Sequence, residues 1–400
     1  MSRVETTTNF RDSNGADLGK KLITKDYLIS VYPSIGQQIG IPPELWTWGS
    51  GGYGRLGDNT VTNKSTPVTT SAGGTNWKQV SSGGYHTAAI KTDGTLWTWG
   101  AGNNGALGNN TVSDKSTPVT TFAGGTNWKQ VSTGNRYCAA IKTDGTLWTW
   151  GLGSYGKLGD NTETHRSTPV TTFAGGTNWK QVSAGAGFCA AIKTDGTLWT
   201  WGHGNTGQLG NNDTTNRVTP VTTFVGGTNW KQVSSSSNHT AAIKTDGTLW
   251  TWGFGNYGRL GTNDATQRNT PVTTFAGGTN WKQVSAGAFH SAAIKTDGTL
   301  WTWGSGTYGA LGNNTTTNKN IPVTTFAGGT NWKQVSSGDF HTAAIKTDGT
   351  LWTWGRGNTG QLGVNDTTQR NTPVTTFAGG TNWKQVSGGS LTAAIKSVDF

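Results

Sequence analysis

The sequence predicts an all-β fold: a seven-bladed β-propeller of four-stranded antiparallel blades, its ring closed by pairing of the N- and C-terminal strands, with a short N-terminal arm. Three observations carry that expectation. The string LWTWG starts at Leu45, Leu96, Leu147, Leu198, Leu249, Leu300 and Leu351, always 51 residues apart, and self-similarity at such a period marks a repeat architecture. Composition is the second: 62 Gly and 21 Trp among 400 residues, with a single Met, suit many strands and tight turns better than a helical bundle. Third, the repeats begin with the Leu45 string and end after an AAIK string at Lys396, so each end lacks the strand that the other supplies. Closing the circle removes the exposed edges that an open array would carry.

Within one repeat, the segments starting at Pro67, Trp77, His86 and Thr95 read as four short strands, because β-branched and aromatic residues alternate with Gly-rich turns. The Asp93-Gly94 step is a two-residue hairpin signal. Four such strands, taken in this order, are expected to build one blade. Trp97 and Trp99 stand two apart and project from one face of their strand, a face expected to pack on the next blade. Each buried Trp removes about 150–250 Å² from water, or roughly 4–6 kcal/mol gross. Cys138 and Cys189 occupy the column of Thr87, Thr240, Ser291 and Thr342, and read as small strand residues without a disulfide. Residues 44–400 form the propeller in this reading and residues 1–43 the arm.

The formal charge is +11. Fourteen of the 31 basic residues are the Lys of the WKQV and AAIK strings, spread evenly along the chain with no basic run. Phosphate affinity needs a concentrated patch, so nucleic acid is not expected as a partner. Neither an apolar run of membrane-spanning length nor the apolar core of a secretory signal is visible, and membrane insertion is not expected.

The pattern LWTWGxGxxGxLGxN, a Pro-led strand and WKQVSxGxxHTAAI resembles the repeat of the regulator of chromosome condensation family over residues 45–396. Gly51, Gly54, Leu56, Gly57, Pro67, Val80, Gly83 and His86 stand where that repeat has them. The resemblance implies a seven-bladed propeller used as a platform for protein, chromatin or ligand. Founding members act on a small nuclear GTPase and on nucleosomes through inserted loops and a basic tail, whereas here every repeat has the same length within one residue. Separately, the leader TTTNFRDSNGADLGKKLITKDYLISVYPSI resembles leader segments of structural proteins in tailed bacteriophages. Thr24 can cap a short helix through Tyr32, with Leu28, Ile29 and Tyr32 as its apolar face. The arm is then either a particle anchor or an element folded on the ring.

Motifs of enzyme chemistry dissolve on inspection. Gly49-Ser-Gly51-Gly-Tyr-Gly54 fits GxGxxG, but the same spacing recurs in every repeat and a Pro-led strand follows where a dinucleotide site needs a helix. His86, His239, His290 and His341 share a column with Tyr137, Phe188 and Leu391, which points to packing and not to a metal. The Asp93 column sits in hairpin turns. Paired carboxylates, a Ser/His/Asp set and a phosphate-cradling loop are not apparent, so the chain is expected to be no enzyme and to use no cofactor or metal.

The seven copies differ in two stretches. After WTWG, the varied columns include His203, Phe254 and Arg356, then Tyr53, Asn104, Tyr155, Tyr257 and Tyr308, then Arg55, Lys157 and Arg259. Between WKQVS and AAIK they include Tyr85, Arg136, Phe289 and Asp339. Following strand directions places both stretches at one end of the ring and the near-uniform Asp-Gly and AGGTN turns at the other. Tyr, Phe, Arg, His and Asn are the residue types of recognition surfaces. The varied end therefore reads as a partner-binding face, with neutral loop drift as the alternative. The functional expectation is a virion attachment or decoration protein, anchored by its arm to another virion protein and presenting the varied face to a host surface glycan or protein. The alternative is a cytoplasmic interaction scaffold or exchange factor of the chromosome-condensation type.

Overall fold

The computed structural model describes residues 6–11, 17–23 and 43–397. Among them, the strands from Glu44–Gly49 to Leu391–Lys396 form seven four-stranded antiparallel sheets, the predicted blades. One blade consists of Trp77–Ser82, His86–Lys91, Leu96–Gly100 and Lys115–Thr120, in that spatial order. The phase within the repeat thus differs from the sequence reading by one strand. The Pro-led strand closes a blade, pairing backwards as Trp97↔Thr120 and Thr98↔Val119, and the AGGTN turn then carries the chain to the next blade. A long loop ending in a Pro-led strand still permits antiparallel pairing, because Pro118 sits on the outer edge strand, where a missing N–H costs nothing.

The strands of the Trp77–Ser82 type lie innermost, and a glutamine seals each one to its neighbour. Gln79 Nε2 donates to the Val131 carbonyl at 2.8 Å, and its Oε1 accepts from Val131 N–H at 2.9 Å. A side-chain amide mimics a peptide group, so the unpaired inner edges become satisfied without a further strand. A bulge between Trp77 and Gln79 leaves Lys78 outside the ladder and exposed; the same irregularity recurs in each blade. The second strand, His86–Lys91, is covered on both faces, which explains its Ala-Ala-Ile core.

Hydrophobic clusters lie between blades. Trp128, Val131 and Trp150 of one blade pack on Ala88, Ile90 and Leu96 of the blade before it, so the indole face meets the preceding blade, not the next. Trp150 Nε1 donates to the Ala106 carbonyl of that preceding blade at 3.1 Å. Gly108, at φ +65°, lies against the same ring, and a Cβ there would stand 2.6 Å from Trp150 Nε1. The tryptophans of each blade also meet edge to face, Trp77 with Trp97 at 6.4 Å and with Trp99 at 6.2 Å.

The ring closes as its split ends predict. Glu44–Gly49 pairs with Leu391–Lys396 from Glu44↔Lys396 to Gly49↔Leu391, and Gln385 spans to Val80 as Gln79 spans to Val131. Cys138 and Cys189 are buried free thiols. In the arm, Thr6–Arg11 pairs antiparallel with Asp17–Ile23, a hairpin that the sequence reading did not include. The helix expected from Thr24 to Tyr32, with Leu28, Ile29 and Tyr32, lies outside the described residues. Among those described, no helix is long and apolar enough to cross a membrane.

Candidate recognition face

Both varied stretches meet at one end of the ring. Ala101 N–H donates to Tyr85 O and Phe254 N–H to Asn238 O, a bond that in six blades ties the loop after the WTWG strand to the loop that precedes the AAIK strand of its own blade. At the opposite end, the Asp-Gly hairpin receives the following linker, with Trp128 N–H on Gly94 O at 3.0 Å.

Tyr53, Tyr155, Tyr257 and Tyr308 are exposed at the corners of short 3-10 turns. Asn104 takes the same corner, half-buried. All five have φ between 60° and 65°, a left-handed conformation that costs a non-Gly residue about 1–2 kcal/mol. A strained corner that holds an aromatic ring in solvent is a feature of functional loops.

The next column behaves differently. Arg55, Lys157 and Arg259 are 6%, 3% and 1% exposed, so they are internal struts and not exposed anchors. Arg259 Nε donates to Asn256 O at 3.0 Å and Nη1 to Ala288 O at 2.8 Å; Arg55 repeats this with Gly52 O and Gly84 O. Lys157 Nζ reaches Ala186 O at 3.4 Å. Each bolts its loop to the loop of the following blade. Burial pulls Arg259 down to about 10 and Lys157 to about 8, while Arg55 is lowered by burial against the opposing effect of Tyr85, Tyr53 and Asp339.

Around these cations the aromatic residues gather into groups. In one, Arg55 lies 5.6 Å from the Tyr53 ring centre and 5.4 Å from that of Tyr85, which also carries Arg136 at 4.6 Å. In the larger, Arg259 faces Phe254, Tyr257 and Phe289 at 5.1, 5.6 and 5.3 Å. Phe289 stacks on Phe340 at 4.5 Å, Tyr308 meets Phe340 at 5.4 Å, and Arg356 covers both. Tyr155 and His203 form a separate stack at 4.4 Å. Among the described residues, Asn104 joins none of these groups.

Phe340 was missed in the sequence. It stands one residue before His341 and so shares a column with Tyr85, Arg136 and Phe289, a register visible by counting back from AAIK. Asp339 belongs one column earlier, and its carboxylate accepts from Ser390 Oγ at 2.7 Å. The last repeat is one residue shorter here, and Ser390 replaces the aromatic. A recess of about 210 Å³ opens at this seam between Arg55, Asp339, Phe340, Arg356 and Gln361. It adjoins a polar central mouth of about 270 Å³, lined by Ser82, Thr133, Ser235 and Ser337 among others. The two groups of aromatics flank this shared depression.

The histidine column is internal, as its aromatic substitutes predict. His239 Nε2 bonds Ser291 Oγ at 2.8 Å, and Ser291 in turn donates to Arg259 O at 2.9 Å; the hydroxyl has one hydrogen, so the imidazole is the donor. His290–Thr342–Ala310 O and His341–Thr392–Gln361 O repeat the relay. Burial depresses His86 and His341 to about 4 and His290 to about 3. No cluster of three or more His, Cys, Asp or Glu suited to a metal occurs among the described residues.

Comparison with known proteins agrees with this architecture. Residues 44–395 match the RCC1-like domain. The ultraviolet-B receptor UVR8 of Arabidopsis thaliana is 33% identical over 82% of this chain and 76% of its own length. The regulator of chromosome condensation of Xenopus laevis is 26% identical over 91% of this chain and 90% of its own. The crystal structure of Saccharomyces cerevisiae Prp20p superposes with a TM-score of 0.78, at 19% identity over 92% of this chain and 94% of that one, a likeness of fold.

Proposed function

We propose that this chain, which belongs to the RCC1-like domain family, is a recognition module that binds a protein partner through its varied loop end and performs no chemistry itself. The observation that carries the reading is the pair of aromatic–cation groups flanking the recess around Arg55 and Asp339. Tyr53 and Tyr257 hold rings in solvent while buried Arg55 and Arg259 fix the loops beneath them, and Tyr308 takes the same left-handed corner, so the face is rigid before a partner arrives. Rigid aromatic anchors lose little entropy on binding and dominate interface energetics. Relatives support a regulatory binding role: UVR8 is a receptor, and Prp20p has binding properties toward Gsp1p and histones.

The test is site-specific photocrosslinking in native extract, with the reactive group at Tyr53, Tyr257 or Tyr308. One shared adduct from all three positions supports the reading, and adducts arising instead from positions in the AGGTN turns overturn it. A nucleotide-release assay with a small GTPase separates simple docking from exchange activity. Anchoring to a virus particle through residues 1–43 is a finer proposal resting on the leader sequence, and antibody labelling of purified particles decides it.

A further inference from the structure

The even spacing that spreads lysines along the sequence gathers them in space. A 51-residue period places every Lys of the WKQV strings, and every Lys of the AAIK strings, at the same height on its blade. Both fall at the uniform end, beside the Asp-Gly hairpins. The reading of a dispersed charge is therefore corrected: fourteen lysines ring this end against the six Asp of the hairpins and Glu44. Lys78 and its six counterparts are exposed on their bulges. Lys91 and its counterparts sit half-buried over Trp pairs, as with Lys91 Nζ at 4.9 Å from the Trp77 ring and 4.7 Å from Trp97.

The same end carries a second, apolar ring. The turn Thr121–Gly124, closed by Gly124 N–H on Thr121 O at 3.1 Å, places Phe122 at its outward corner. Phe173, Phe224, Phe275, Phe326 and Phe377 take the equivalent corners, and the six are between 62% and 66% exposed. The seventh corner is Ser71, in a turn with the same Gly73–Thr70 bond. The fold thus tolerates serine there, and six repeated exposed phenylalanines have no structural duty in view.

From this juxtaposition we infer that the uniform end is a peripheral docking surface for an anionic lipid bilayer. Charge complementarity selects the partner: lysines meet headgroup phosphates while Phe rings enter the headgroup boundary, the combination that holds proteins at membrane interfaces. Uniformity selects a lamellar surface over a macromolecule of defined shape. A bilayer offers each blade the same chemistry at once, and weak identical contacts then add through multivalency. This surface is independent of the varied loop end.

The experiment is co-sedimentation of the full chain with phosphatidylcholine vesicles, with and without phosphatidylserine. Binding to the anionic vesicles, weakened by salt and reduced about tenfold or more when all six Phe become Ser, is the expected result. The Ser variant must keep the wild-type melting temperature, as Ser71 predicts. Equal binding to neutral vesicles, or full binding by the folded Ser variant, overturns the inference. So does tight binding to a DNA duplex at the same salt with no binding to vesicles, which assigns the lysine ring to nucleic acid.

Discussion

The indole of Trp48 and the carbonyl of Gln361 are 313 positions apart in the chain, yet Trp48 Nε1 donates to Gln361 O at 3.0 Å. Trp150, Trp201, Trp252, Trp303 and Trp354 each make this bond with the blade before them, and here it is made across the junction of the two chain ends. The ring is therefore held at its closure by the same contacts as elsewhere, reinforced by strand pairing between Glu44–Gly49 and Leu391–Lys396.

Closure predicts that losing the last strands is felt by the whole ring. Deleting residues 386–400 removes the partner of Glu44–Gly49 and uncovers Trp48, and the cooperative thermal transition should fall sharply. Trp48→Ala alone should cost about 3–5 kcal/mol, the range for emptying a large buried aromatic site. Calorimetric melting checks both, and a truncated chain that melts like the full one contradicts closure.

The arm behaves differently. A chain beginning at Ile41 retains Pro43, whose carbonyl accepts from Trp77 N–H at 3.1 Å, and keeps every blade strand. It should fold and melt like the full protein. Insoluble or unfolded product on that truncation would show that residues 1–40 belong to the propeller core.

Much of this was legible in the sequence because repetition multiplies each signal sevenfold. LWTWG, AAIK and Asp-Gly fixed strand order and hairpins, and the strand directions placed the varied loops at one end. The blade phase was not legible, since Pro67 could equally begin a blade or end one until its pairing partner was seen. Burial of Arg55, Lys157 and Arg259 was also hidden. Their column contains Ala106 and Ala310, so variation looked like exposure, whereas each loop simply fills the space between blades with a different side chain. Phe122 and its copies escaped notice because six of the seven corners carry the same residue, and a search for recognition by variation passes over a near-uniform face.

That burial separates two neighbours that sequence alone would group. Arg259→Ala leaves the Asn256 and Ala288 carbonyls without their donor and should cost about 1–3 kcal/mol. Tyr257→Asn should change stability by less than about 0.5 kcal/mol, because Asn104 already occupies the same left-handed corner. Chemical denaturation of the two variants checks the contrast, and equal stability would show that Arg259 is not a strut.

The histidine relays predict acid sensitivity. His86, His290 and His341 are held neutral, with folded values of about 4, 3 and 4 against an ordinary 6.5. The unfolded chain therefore binds more protons in this window, and stability falls there as the pH is lowered. Their contribution is intact above about pH 6.5 and is lost progressively down to about pH 4 for His86 and His341 and about pH 3 for His290. Replacing His290 with Phe, the residue at Phe188 in the same column, should move the acid unfolding midpoint to lower pH. An unchanged midpoint would mean that another group governs acid unfolding.

The most direct test of a recognition role for the varied end is the affinity for the crosslinked partner of a chain carrying Tyr257→Asn and Tyr308→Asn together. The account predicts that binding weakens more than about tenfold, the loss of a hot spot worth about 2 kcal/mol, at an unchanged melting temperature. Full affinity in that folded double variant would contradict it.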